Sequence, residues 1–119
     1  LGRSIALKYA NYISINGYMH GTIVCYIIEP KLETILQEAI QTSPIGSYLA
    51  LEPEFSSQFI QRSKELFGSK DEQIIIITQQ EIRYFVRKIL EIDIPDLVVL
   101  SYQELPADII IQPLGKISF

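Results

Sequence analysis

Four consecutive isoleucines at positions 74–77 constrain this chain more than any other feature. A continuous apolar run has no polar side to turn toward water, so a strand built from it needs cover on both faces, as in a largely parallel sheet. The segment that follows has a different period. Ile82, Phe85, Val86, Ile89 and Leu90 recur at spacings of three and four, which predicts a helix over 79–91 that lays them on the sheet. The same alternation appears earlier. Residues 22–28 are β-branched and apolar and read as a strand. Glu29-Pro30 then opens a helix, since proline at the first helical position gives up no hydrogen bond. That helix places Leu32, Ile35, Leu36, Ala39 and Ile40 on one side, and Lys31, Glu33, Thr34, Gln37, Glu38 and Gln41 on the other. A short strand over 47–51 leads into Glu52-Pro53 and a helix holding Phe55, Phe59, Ile60, Leu66 and Phe67. Gly68-Ser69-Lys70-Asp71 reads as the turn after it, and 97–100 and 107–112 as the last strands.

Strands alternating with helices of this length predict an α/β domain. The link at 101–106 is too short for a helical crossover, so a mixed, mostly parallel sheet of four to five strands with flanking helices is expected. Thr78 and Glu81 have the spacing of a reciprocal capping box, with Ile77 and Ile82 as its hydrophobic staple. One N-terminal helix over 4–15, stopped by Asn16-Gly17, is expected before the sheet. With 119 residues, 43 of them Ile, Leu, Val or Phe, the chain suffices for one packed core. It starts with Leu1 and has no apolar secretory stretch behind it, which reads as a piece of a longer protein. The longest apolar run, 23–28, is far short of the ~20 residues that cross a bilayer.

Several kinds of chemistry are disfavoured. A net charge of −4 offers no broad positive field for nucleic acid. Cys25 is the one cysteine and His20 the one histidine, so neither a disulfide nor a Cys/His zinc site can form from them, and no cofactor is expected. Cys25 lies among apolar strand residues and reads as a small core hydrophobe; His20, beside Gly21, reads as an exposed turn residue. No glycine-rich phosphate loop follows any strand, and two strand-to-helix junctions carry Glu-Pro, which is hostile to an anion. Glu29, Glu33, Glu52 and Glu54 read as helix-dipole partners, and Glu91, Asp93, Asp96, Glu104 and Asp108 as a solvated acidic stretch. No catalytic constellation emerges, and an enzyme is not expected. Arg83, Arg87 and Lys88 share the outward face of the 79–91 helix and are the candidate partner-binding residues. Arg83 has no carboxylate at helical spacing and Arg87 only Glu91, so at least one cation is expected to be free for an external carboxylate.

A set of ordered strings resembles one family along nearly the whole chain. Lys8-Tyr9-Ala10-Asn11 comes first, then Ile27-Ile28-Glu29-Pro30 with Leu32-Glu33, then Gln41-Thr42-Ser43. Gly46-Ser47-Tyr48-Leu49-Ala50-Leu51-Glu52-Pro53 is the strongest. Residues 81–88, Glu-Ile-Arg-Tyr-Phe-Val-Arg-Lys, and 96–105, from Asp96 to Leu105, complete the series. The sequence resembles the export-gate proteins of type III secretion, the FHIPEP family, and its virulence-type branch more than its flagellar one. The resemblance implies a bacterial inner-membrane protein with a membrane-embedded N-terminal half and a cytoplasmic part of four subdomains assembled as a nonameric ring. It implies that residues 1–16 are a helix left from the preceding subdomain and 17–119 the last α/β subdomain. Its implied role is to help dock export chaperone–cargo complexes and gatekeeper proteins, with other copies of the same protein as ring partners, in a process driven by proton motive force. The alternative from the residues alone is a small-ligand-binding or enzymatic α/β domain with its site at the strand ends.

Overall fold

The fold was derived from a computed structural model that describes residues 6–68 and 73–119. The four-isoleucine run supplies β5 (Ile75–Thr78), whose four residues are all buried. Its neighbours are β2 (Tyr18–Ile28) and β6 (Val98–Ser101), both parallel to it. β7 (Ile110–Ile117) pairs parallel with β2, and β1 (Asn11–Ile15) pairs antiparallel with the first half of β2. Thr22 is opposite both Asn11 and Ile110. β1 and β7 therefore flank β2 on opposite edges, and β1 and β5 share one edge end to end.

Period-two alternation divides the core across the sheet. Tyr26, Ile28, Ile76 and Val99 face one side, where α1 (Pro30–Glu38), α2 (Pro53–Phe67) and α3 (Gln80–Leu90) deliver Leu32, Leu36, Phe59, Phe67, Ile82, Val86 and Leu90. Ile23, Cys25, Ile75, Ile77 and Leu100 face the other side. There the cover is Ala6, Tyr9 and Ala10 from the N-terminal segment and Tyr102, Leu105 and Ile109 from the last link. Pro30 and Pro53 occupy the first helical positions of α1 and α2, as the Glu-Pro junctions predict.

Among the described residues the mixed, mostly parallel sheet has five strands, within the expected range, but its membership differs. Residues 4–15 are not one helix: 6–8 are helical and 11–15 form β1. Asn16 (φ 52°) and Gly17 (φ 82°) are the two left-handed residues of a tight hairpin turn, so the expected boundary at residue 16 falls inside a hairpin. The expected strand at 47–51 is β4 (Gly46–Leu49), which among the described residues pairs with β3 (Ile40–Ser43) as a separate two-stranded unit. α1 ends at Glu38 to release Ile40 into β3. The antiparallel member is β1 and not β7. The segment 102–109 crosses the second face, opened by a 3₁₀ turn at Tyr102–Glu104, and sets β7 parallel beside β2. Gly68 closes α2 with φ 65°, while Ser69, Lys70 and Asp71 of the expected turn lie outside the described residues.

Candidate partner-binding face

α3 commits one side to the core through Ile82, Val86 and Leu90, each four residues from the next. The opposite side presents Arg83, Tyr84, Arg87 and Lys88, so the structure does bring the three candidate cations onto one outward face. None of them is free. Arg83 Nε stands 3.3 Å from Glu104 Oε1, a carboxylate brought in by the 3₁₀ turn after β6. Arg87 Nε lies 3.6 Å from Glu91 Oε2, while its guanidinium also donates to the carbonyls of Leu97 and Pro95. Lys88 Nζ lies 3.2 Å from Glu91 Oε1 and 5.5 Å from the centre of the Tyr84 ring. The expected unpaired cation is thus corrected. Helical spacing could find Glu91 but not Glu104, which is distant along the chain.

Phe85 is another correction. It is half-buried and stands edge to face with Tyr84, with centroids 5.5 Å apart at 77°, instead of facing the sheet as a core residue. With Ser47, Tyr48, Leu49, Tyr84, Lys88 and Ile89 it lines a hollow of about 310 Å³ between β4 and α3. A second hollow of about 290 Å³ adjoins it, lined by Arg83, Tyr84, Arg87, Lys88, Glu91 and Val99.

The strand ends hold a polar network that the pattern of the sequence did not signal. Glu33, assigned by period to the wet side of α1, is buried. Its Oε2 accepts from Thr78 Oγ1 at 2.7 Å and from the Gln79 backbone N–H at 3.2 Å. Thr78 therefore does not cap α3 with Glu81; it is the last residue of β5, and Gln79 is the N-cap. Ile77 and Ile82 lie on opposite sides of the sheet and form no staple. The reciprocal capping box is Ser101 with Glu104, whose Oε1 accepts from Ser101 N and Oγ, both at 2.9 Å. The Ser-x-x-Glu spacing at 101–104 was the available signal.

His20 is a half-buried residue of β2 opposite Ile13, not a turn residue. It points to the face opposite Cys25, five positions on, so the two cannot act together. Cys25 is buried, and that burial pushes its thiol from 9.0 up to about 11, which disfavours the nucleophilic thiolate. Burial first, and the Glu33 carboxylate second, raise the Tyr102 phenol above 10.0. Among the described residues no group of three His, Cys, Asp or Glu side chains could hold a metal ion, and no helix is long and apolar enough to cross a membrane.

The profile of the FHIPEP family matches residues 3–110. This chain belongs to the FHIPEP family. The low calcium response locus protein D of Yersinia pestis is 34% identical over 98% of this chain and 16% of its own length. The flagellar biosynthesis protein FlhA of Bacillus subtilis is 31% identical over 73% of this chain and 13% of its own. The longer match to the first relative favours the virulence-type branch over the flagellar one. The Chlamydia pneumoniae CdsV protein superposes with a TM-score of 0.84 at 31% identity, over 99% of this chain and 32% of that one. CdsV in its complex with CdsO gives 0.74 at 33% identity, over 82% of this chain and 29% of that one. The nonameric EscV cytosolic domain from the type III secretion system gives 0.65 at 32% identity, over 81% of this chain and 28% of that one. This FHIPEP chain thus spans about a sixth of the length of its curated relatives and about a third of the solved chains.

Proposed function

We propose that this chain is a non-catalytic interaction subdomain in the cytoplasmic ring of a type III secretion export gate of a bacterial inner membrane. There it helps to dock chaperone–cargo complexes and gatekeeper proteins for export. The observation that carries this reading is the superposition on CdsV along 99% of the chain, as a third of that larger protein. The EscV nonamer supports other copies of the same protein as one class of partner, and the CdsV–CdsO complex supports other secretion components as a second. In this reading residues 17–119 are the closing subdomain and residues 1–16 the junction to the preceding one, with β1 tying the two together through β2. Arg83, Arg87 and Lys88 lie on the outward face offered to partners, and the Lys88–Glu91 pair, which has the most exposed cation of the three, is the one a partner's carboxylate would displace at least cost.

The test compares the gate's complete cytosolic part with a version lacking the residues of this chain, by surface plasmon resonance against a purified chaperone–cargo complex. Loss of binding in the shortened but folded protein is the expected result. Undiminished affinity would show that docking is handled elsewhere in the ring.

A further inference from the structure

The chain has two asparagines, Asn11 and Asn16, and the structure sets them in opposite circumstances. Asn11 opens β1, where it stands opposite Thr22 and its carbonyl accepts from Thr22 Oγ1 at 3.1 Å. Tyr12 follows it, so a bulky side chain stands on the next backbone nitrogen. Asn16 is exposed at the tip of the β1–β2 hairpin with φ 52°, and Gly17 follows it at φ 82°. A Cβ built on Gly17 would meet nothing within 4 Å, so the tip is open to water. Opening it breaks only the last rung of the ladder, Ile15 opposite Tyr18. A two-residue turn with two left-handed positions favours Asn-Gly. The same dipeptide is the one whose side-chain amide and following backbone nitrogen react together most readily, because glycine puts no side chain in the way.

We propose that Asn16 is a site of spontaneous deamidation, and that its isoaspartate product releases β1 from β2. The Gly17 nitrogen gives its proton to hydroxide and attacks Cγ of Asn16. The new N–Cγ bond closes a five-membered succinimide, and the side-chain nitrogen leaves as ammonia. Water then opens the ring at one of its two carbonyls. Breaking the N–Cγ bond leaves aspartate; breaking the original peptide bond leaves isoaspartate, with the main chain routed through Cβ and Cγ. Cyclisation requires Asn16 to rotate out of its turn conformation, so it proceeds from the opened tip. Isoaspartate adds one methylene to the main chain, which no longer fits a two-residue link between Ile15 and Tyr18. It also places a carboxylate in residues 9–28, a stretch that contains no Asp, Glu, Lys or Arg. On the export-gate reading residues 1–16 are a junction, and the change is an ageing device that loosens it; only that consequence rests on that reading.

The test incubates the 119-residue protein in mildly alkaline buffer and reads the tryptic peptide 9–31, which carries both asparagines, by fragmentation mass spectrometry. Expected is a gain of about 1 Da at Asn16, with isoaspartate among the products, and a rate at Asn11 at least about tenfold lower. Urea should speed the reaction at Asn16 at least about threefold, since the tip is then always open. The aged protein should exchange its amides faster in residues 11–15 than fresh protein does. Asn16→Gly keeps a residue suited to positive φ but removes the reacting amide, so its aged and fresh samples should exchange alike. Equal rates at the two asparagines, or an Asn16 that reacts in urea and not in the folded protein, would overturn the site. Isoaspartate with undiminished protection of β1, or the same loss of protection in aged Asn16→Gly, would overturn the release. None of these readouts involves secretion, so their failure leaves the export-gate reading standing, and loss of that reading leaves the chemistry at Asn16 intact.

Discussion

Two donors converge on Oε2 of Glu33, the Thr78 hydroxyl and the Gln79 amide, and the carboxylate that serves the start of α3 therefore comes from α1. A hydrogen bond to a charged group is worth about 1.5–3 kcal/mol, and a buried partner left unpaired adds its desolvation. Thr78→Ala should accordingly lower stability by about 2–3 kcal/mol, well above the ~1 kcal/mol of an ordinary cap. Thr34→Ala, which removes an exposed hydroxyl bonded to the Pro30 carbonyl, should cost no more than about 0.5 kcal/mol. Urea midpoints of the two variants decide it, and equal midpoints would argue against the network. Cys25 carries a pH signature. The folded protein holds the thiol proton more tightly than the unfolded chain does, so this contribution is fully present below pH 9.0 and is lost as pH rises through about 11. Cys25→Ala should flatten part of the fall in unfolding midpoint across that window, and an unchanged slope would count against the assignment.

Element ends are where local chemistry and tertiary demand meet. β7 is an edge strand and carries two devices that spoil further pairing: Pro113, which has no N–H, and a bulge at Leu114, between the partners of Cys25 and Tyr26. β1 has no such device and depends on its hairpin turn for register. A branched residue at Gly17 must adopt φ 82°, at a cost of about 1–2 kcal/mol. Gly17→Val should therefore speed amide exchange in residues 11–15 while the amides of β5 keep their protection. Protection of β1 that survives the change would show the hairpin to be held by its side chains alone.

At the scale of the molecule, one sheet separates a core covered by three helices from a second core closed by the short N-terminal turn of helix and the 102–109 link. Ile76 lies at the centre of the first, fully buried between strands and helices, and Ile76→Ala should cost about 2–5 kcal/mol. Phe85 is half-buried on the wall of the hollow between β4 and α3, so Phe85→Ala should cost less despite the larger ring removed. Chemical denaturation of both variants gives the order, and a larger loss at Phe85 would move that ring into the core.

The sequence by itself determined the features that a short stretch of chain encodes. The prolines at 30 and 53 start α1 and α2, the period of Ile82, Val86 and Leu90 orients α3, and the isoleucine run is a buried strand. It also placed Arg83, Arg87 and Lys88 on one outward face, because helical spacing alone settles that. Only the tertiary structure decided which strands share the sheet. Residues 11–15 and 46–49 are both short strand segments, yet the first joins β2 and the second pairs with β3. Strand pairing depends on contacts between distant segments, which periodicity within either segment does not contain. The same reason hid Glu33 and Glu104. Their solvent-facing or loop positions are local properties; their partners, Thr78 and Arg83, are brought to them by the crossovers of the fold.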